Sequence, residues 1–202
     1  MQRPNRERLV KMRIVAADPS VCDAAGVPLT AIVEVPAETL APGPRGYRVH
    51  VVDYDASSQT LYAPVSLDDG PPWLRRPTAP LDASVITQDP RFHARNVYAI
   101  VMKTLARFEA ALGRRVSWGF NGYGSRSHQL KVAPHAFSDA NAFYSRRDEA
   151  LLFGYFPAAD GHVVHTCLSH DIVVHETSHA LLDGLRERYL APSHPDQAAF
   201  HE

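Results

Sequence analysis

The longest regular run of apolar positions lies between residues 90 and 112. Val97, Val101, Leu105, Phe108 and Leu112 recur at helical spacing and form one apolar stripe. Asp89 can cap this helix, Pro90 suits its first position and Gly113 suits its exit. A second helix is predicted over "DIVVHETSHALLDG", residues 171–184, with Ser169 at the cap and Asp171 in the first turn, near the positive end of the helix dipole. Elsewhere the period shortens towards two. "TAIVEV", "YRVHVVDYD" (47–55) with "QTLYAPV" as its hairpin partner, "RVSWGF" and "HQLKVAP" are predicted strands, the last with Leu130 and Val132 on one face. "NAFYS" and "ALLFGYF" form a further strand pair, bridged by the charged turn "RRDE".

The rest of residues 1–45 is broken by Pro and Ala and is expected to form an irregular arm or cap. "DDGPPWLRRPTAPLDAS" is too dense in Pro for regular structure and is expected to be a linker. The chain thus divides into an N-terminal strand region with its Pro-rich linker, 1–88, and a main body, 89–202. The expected fold is α+β: a twisted, mostly antiparallel sheet packed on a backing helix, with the second helix below the sheet's edge strand.

Composition narrows the function. With 202 residues, 45% of them hydrophobic, and a formal net charge of −1, the chain has the make-up of an ordinary globular domain. Its basic residues are scattered and balanced by acids, which argues against nucleic acid as a partner, and the pair Arg114–Arg115 is expected at a solvated helix end. Two distant cysteines, Cys22 and Cys167, exclude a disulfide framework and are too few for a cysteine-based zinc site. The basic N-terminus is followed by no long apolar core, so neither a secretory signal nor a membrane span is expected, and the expected address is cytoplasmic.

The chemistry concentrates in the second helix, which contains His-Glu-x-x-His. Positions four apart share one helix face, so His175 and His179 can aim two imidazoles at one zinc ion. Glu176 then stands beside the metal as a general base for a zinc-activated water. Val173, Val174, Leu181, Leu182 and Leu185 supply apolar flanks that hold the ligands rigid. A chain with 11 histidines can produce this motif by chance, so a third ligand is required. Leu182 and Leu185 occupy the places where a metzincin would have Gly and His. His162, His165 and His170 rank behind a downstream candidate, because a strand and the helix start are expected to carry them. That candidate is Glu202, in "SHPDQAAFHE".

"HETSHALLDG" followed by "QAAFHE" resembles the thermolysin-like (gluzincin) zinc metallopeptidases, in which a second helix supplies a zinc-binding Glu. "NVYAIVMKTLARFEAALGRRVSW" resembles that family's long helix, and "DANAFYSRRDEALLFGY" its edge strand; together these segments span residues 91–202. The resemblance implies a zincin-like catalytic subdomain with His175, His179 and Glu202 as zinc ligands and Glu176 as the base. It places Asn141 and Ala142 on the strand that binds a peptide or protein substrate by β-augmentation, and gives Asp183 a structural role. It also implies parts beyond Glu202, so the chain is expected to be a truncated portion of such an enzyme. The competing expectation is a truncated or degenerate zincin domain that binds zinc or peptide without cleavage.

Overall fold

A computed structural model describes residues 8–122 and 128–186. Its central element is a helix, α3 (Pro90–Leu112), on which most other elements pack. Asp89 accepts the Arg91 N–H at 2.9 Å, Pro90 opens the helix, and Gly113 closes it in the left-handed region at φ 67°. The predicted stripe is only part of the buried surface. Every residue from Phe92 to Met102 is buried, whereas Leu112, at the stripe's far end, is 44% exposed. The first half of α3 is therefore enclosed on all sides.

What encloses it differs in part from expectation. β1 (Leu9–Val15) and β2 (Thr30–Pro36) form a seven-residue antiparallel ladder against α3, in register from Leu9↔Pro36 to Val15↔Thr30. Much of the supposed arm is thus regular sheet. The Pro-rich stretch also contains a short helix, α1 (Pro72–Arg75), and leads into a second, α2 (Ala83–Gln88). Trp73 and Leu74 are buried, and Arg95 of α3 donates to the Trp73 and Leu74 carbonyls at 2.6 and 3.3 Å. Proline's missing N–H does no harm in the first turn of a helix, which is where α1 uses it.

The main sheet runs in the order β3 (Val49–Val51), β6 (Leu130–Ser138), β8 (Ala150–Pro157), β7 (Ala142–Ser145). β9 (Val163–His165) lies on the same side of β8 as β7, but along its other half. β3–β6 and β6–β8 are parallel, while β7–β8 and β8–β9 are antiparallel. The sheet is therefore evenly mixed, which corrects the expectation of a mostly antiparallel one. The long excursion through α3 returns the chain parallel to β3, and β7 is laid one place beyond the gap that β8 then fills. β3 lies before the Pro-rich stretch and β6 after it, so the two segments share one sheet. The turn "RRDE" joins β7 to β8 as expected, and β4 (Tyr54–Asp55) pairs β5 (Thr60–Leu61) as a short hairpin. "RVSWGF" is not a strand. Trp118 is buried with its indole N–H donating to the Arg48 carbonyl at 3.0 Å, and a 3₁₀ turn, Gly119–Gly122, follows. The architecture is mixed α+β, and among the described residues no helix is long and apolar enough to cross a membrane.

One side chain fastens the layers together. Asn96 of α3 is fully buried; its Oδ1 accepts the Val15 N–H of β1 and its Nδ2 donates to the Cys167 carbonyl, each at 2.9 Å. Cys167 belongs to a buried 3₁₀ turn, Thr166–Leu168, that leads from β9 into α4 (His170–Leu185). α4 begins at Ser169 with Asp171 in its first turn, although Ser169 makes no side-chain cap bond. Val173 and Leu181 are fully buried, and Val174, Leu182 and Leu185 half-buried. Near its end Gly184 meets the backbone of Ser117 so closely that an added Cβ would collide with the Ser117 carbonyl oxygen. Gly184→Ala should therefore lower stability by about 1–3 kcal/mol, the usual cost of overpacking. On an open helix face the same change would instead raise it by up to about 1 kcal/mol, so the sign of the shift in urea midpoint checks the contact.

Candidate functional site

α4 presents the His-Glu-x-x-His motif on two of its faces. His175 and His179 lie one turn apart towards the solvent side, their Nε2 atoms 2.9 Å from each other and their rings edge-on at 84°. Two imidazoles on one tetrahedral ion, with bonds of about 2.0–2.1 Å, would hold their nitrogens about 3.3 Å apart. A small ring rotation separates the two arrangements.

Glu176, on the adjoining face, is turned towards the sheet's edge strand. It is 7% exposed, and its Oε2 accepts the backbone N–H of Tyr144 at 3.0 Å. Burial raises the Glu176 carboxyl's affinity for a proton. His175 and the Tyr144 N–H oppose this, and the net shift is upward. Among the described residues β7 is the outermost strand over its length, and the Tyr144 N–H points away from β8. By the two-residue period, the Ala142 N–H points outward as well. It is taken by the Asn141 side chain, whose Oδ1 lies 2.8 Å away. Asn141 and Ala142 thus stand at the start of the open edge, two residues before the position that touches Glu176. Glu202 lies outside the described residues.

Asp183 follows Glu176 by two helical turns and faces the same strand. Its Oδ2 accepts the Tyr144 phenol at 2.7 Å and pairs with Arg146 Nε at 3.4 Å. Tyr144 therefore grips two carboxylates of α4, one by its backbone and one by its hydroxyl. Burial, then the hydrogen bond to Asp183, push its phenol pKa upward. Removing that hydroxyl in Tyr144→Phe leaves a buried carboxylate short of a donor. The expected loss is about 1–3 kcal/mol of stability in chemical denaturation.

A second cluster was not foreseen. Among the described residues, His93, His135 and His165 form a group whose ligand nitrogens all lie within 4.8 Å of one another, a placement that could hold a metal ion. They come from α3, β6 and β9. Their ring centroids are 4.7–5.0 Å apart, and His93 Nδ1 approaches His135 Nε2 to 2.7 Å. Asp53 holds His135 Nδ1 at 2.9 Å, and the Ile86 carbonyl holds His93 Nε2 at 3.1 Å. Burial, reinforced by the neighbouring imidazoles, drives the His93 pKa well below its ordinary value. Burial and His135 push His165 down to about 4. His162 and His170 lie elsewhere, beside Asp160 and Asp171. His165 was the weaker candidate in the sequence, and His93 and His135 carried no spacing signal. One clue did exist: the stripe of Val97 and Val101, extended back one turn, lands on His93, a titratable group on a core-facing line.

No family model matches the chain, and neither a curated protein nor a solved structure matches it.

Proposed function

We propose that the chain is a thermolysin-like, zinc-dependent metallopeptidase. One observation carries the reading: on α4 two imidazole nitrogens converge at 2.9 Å while the intervening Glu176 is held against the outward edge of β7. The donor set fits zinc, since two imidazoles at i and i+4 supply half of a tetrahedral site. His175 and His179 would hold the ion, with Glu202 as the third ligand by resemblance. The bound ion would supply Lewis acidity, polarising a peptide carbonyl and making a water acidic near neutral pH.

The chain's own residues supply the rest. A peptide adds to β7 as a further strand, its backbone meeting the outward groups at Ala142 once the Asn141 side chain swings aside. Glu176 takes the proton of the attacking water and delivers it to the leaving amine. Its burial raises its affinity for that proton, and its bond to Tyr144 fixes its position relative to the strand. Asp183, paired with Arg146, holds Tyr144, and so the edge, in register with α4.

His179→Ala tests the reading. The variant should contain one zinc fewer per chain than the parent by elemental analysis after dialysis, and should lose cleavage of an unfolded protein such as casein. An unchanged zinc content would remove the basis of the proposal. One zinc fewer in a pair of proteins that both fail to cleave would leave a zinc-binding domain without hydrolysis.

A further inference from the structure

We propose that His93, His135 and His165 form a second site, separate from α4, for a divalent transition-metal ion of the zinc class. The argument starts from protons. The Asp53 carboxylate can only accept, so the His135 Nδ1 beside it, at 2.9 and 3.0 Å from its two oxygens, carries the hydrogen. The Ile86 carbonyl can likewise only accept, so His93 carries its hydrogen on Nε2. In neutral imidazoles the remaining nitrogens are then bare lone pairs. Those two nitrogens, His93 Nδ1 and His135 Nε2, face each other at 2.7 Å. Two lone pairs at that distance repel unless a positive charge lies between them. That charge is either a metal ion or one extra proton.

Two further observations favour the ion. A proton needs two partners, but a third imidazole closes on the same point: the His165 ring lies 4.7 Å from that of His93 and 5.0 Å from that of His135. Its Nδ1 is buried and has no hydrogen-bond partner, an arrangement that folded proteins seldom leave uncompensated. The outer bonds also have the form found behind metal-binding histidines, a carboxylate on one ring and a backbone carbonyl on another, which fix the ring and its tautomer. An all-imidazole set selects a nitrogen-preferring transition metal over calcium or magnesium. Three ligands leave a fourth position for water, and the ion would tie α3, β6 and β9 to one another.

The test uses the whole chain with the α4 pair removed, His175→Ala with His179→Ala, so that its outcome is independent of the peptidase reading. Cobalt(II) is titrated in as the probe. The double variant should still bind one equivalent, with visible absorption bands of a four-coordinate nitrogen site, and should melt at a higher temperature with zinc than with chelator. Adding His165→Gln, at a half-buried position that folding tolerates better than His93, should abolish the bands. Asp53→Asn should weaken binding by about 10–100-fold. Circular dichroism confirms that each variant is folded. Absence of bound cobalt in the folded double variant, or binding that survives His165→Gln unchanged, would overturn the site and leave a proton shared between His93 and His135.

Discussion

Replacing Glu176 by Gln should leave the zinc content of the chain unchanged and lower peptide hydrolysis by about 10²-fold or more. The expectation follows from how Glu176 is held. Its Oε2 accepts the Tyr144 N–H, and the amide oxygen of Gln can accept the same bond at the same length. The side chain is 7% exposed, so a replacement of equal shape is needed to avoid a void, and Gln provides it. What disappears is the basic oxygen. Because burial raises the carboxyl's proton affinity, the native group is a stronger base than a solvated Glu, and an amide is not a base at all. Zinc by elemental analysis and turnover of a quenched fluorescent peptide are measured on the same preparation. Loss of zinc would make Glu176 a ligand, and unchanged turnover would remove it from the chemistry.

The largest effect on stability is expected at Asn96. In Asn96→Leu, of similar size, the Val15 N–H and the Cys167 carbonyl are both left buried without a partner. Each such group costs about 1–3 kcal/mol, so the pair costs about 2–6 kcal/mol. Whole domains are stable by only about 5–15 kcal/mol. At roughly 2–4 °C per kcal/mol for a chain of this size, the melting temperature should fall by on the order of 10 °C. Thermal melts followed by circular dichroism check this. A shift within about 2 °C would mean that water or backbone movement satisfies both groups.

The features that could be read from the sequence are local ones. Asp89, Pro90 and Gly113 delimit α3 because caps act within one turn, and "RRDE" marks a hairpin because its strands are adjacent in sequence. The His175–His179 convergence follows from helical spacing alone. Strand order was not legible. Nothing in the period of β6, β7 or β8 says that β8 inserts between the other two, and neighbours in sequence were expected to be neighbours in space. β1 does alternate, with Val10, Met12 and Ile14 against Lys11 and Arg13, yet it lies in the stretch whose Pro and Ala breaks made it pass for an irregular arm. The trihistidine cluster was hidden for a deeper reason. Its members come from three elements that only the tertiary fold brings together, and no spacing rule links α3 to β6 and β9. The Pro-rich segment was misjudged because proline density was taken to exclude helix, whereas α1 needs only one turn to bury Trp73 and Leu74.

The covered edge of β7 bears on how copies of the protein behave towards one another in solution. An outermost strand with free N–H groups is a template for aggregation, and Phe143, 41% exposed and stacked on Phe137, adds an adhesive surface beside it. Here the strand is only four residues long, and its outward donors at Ala142 and Tyr144 are occupied by Asn141 and Glu176. Two polar side chains act as gatekeepers: a stray strand must displace both before it can pair. Only the one at Asn141 is free of the helix and easily moved, so the edge yields from that end first. The same two groups that ration access to this edge oppose its pairing with the edge of another copy.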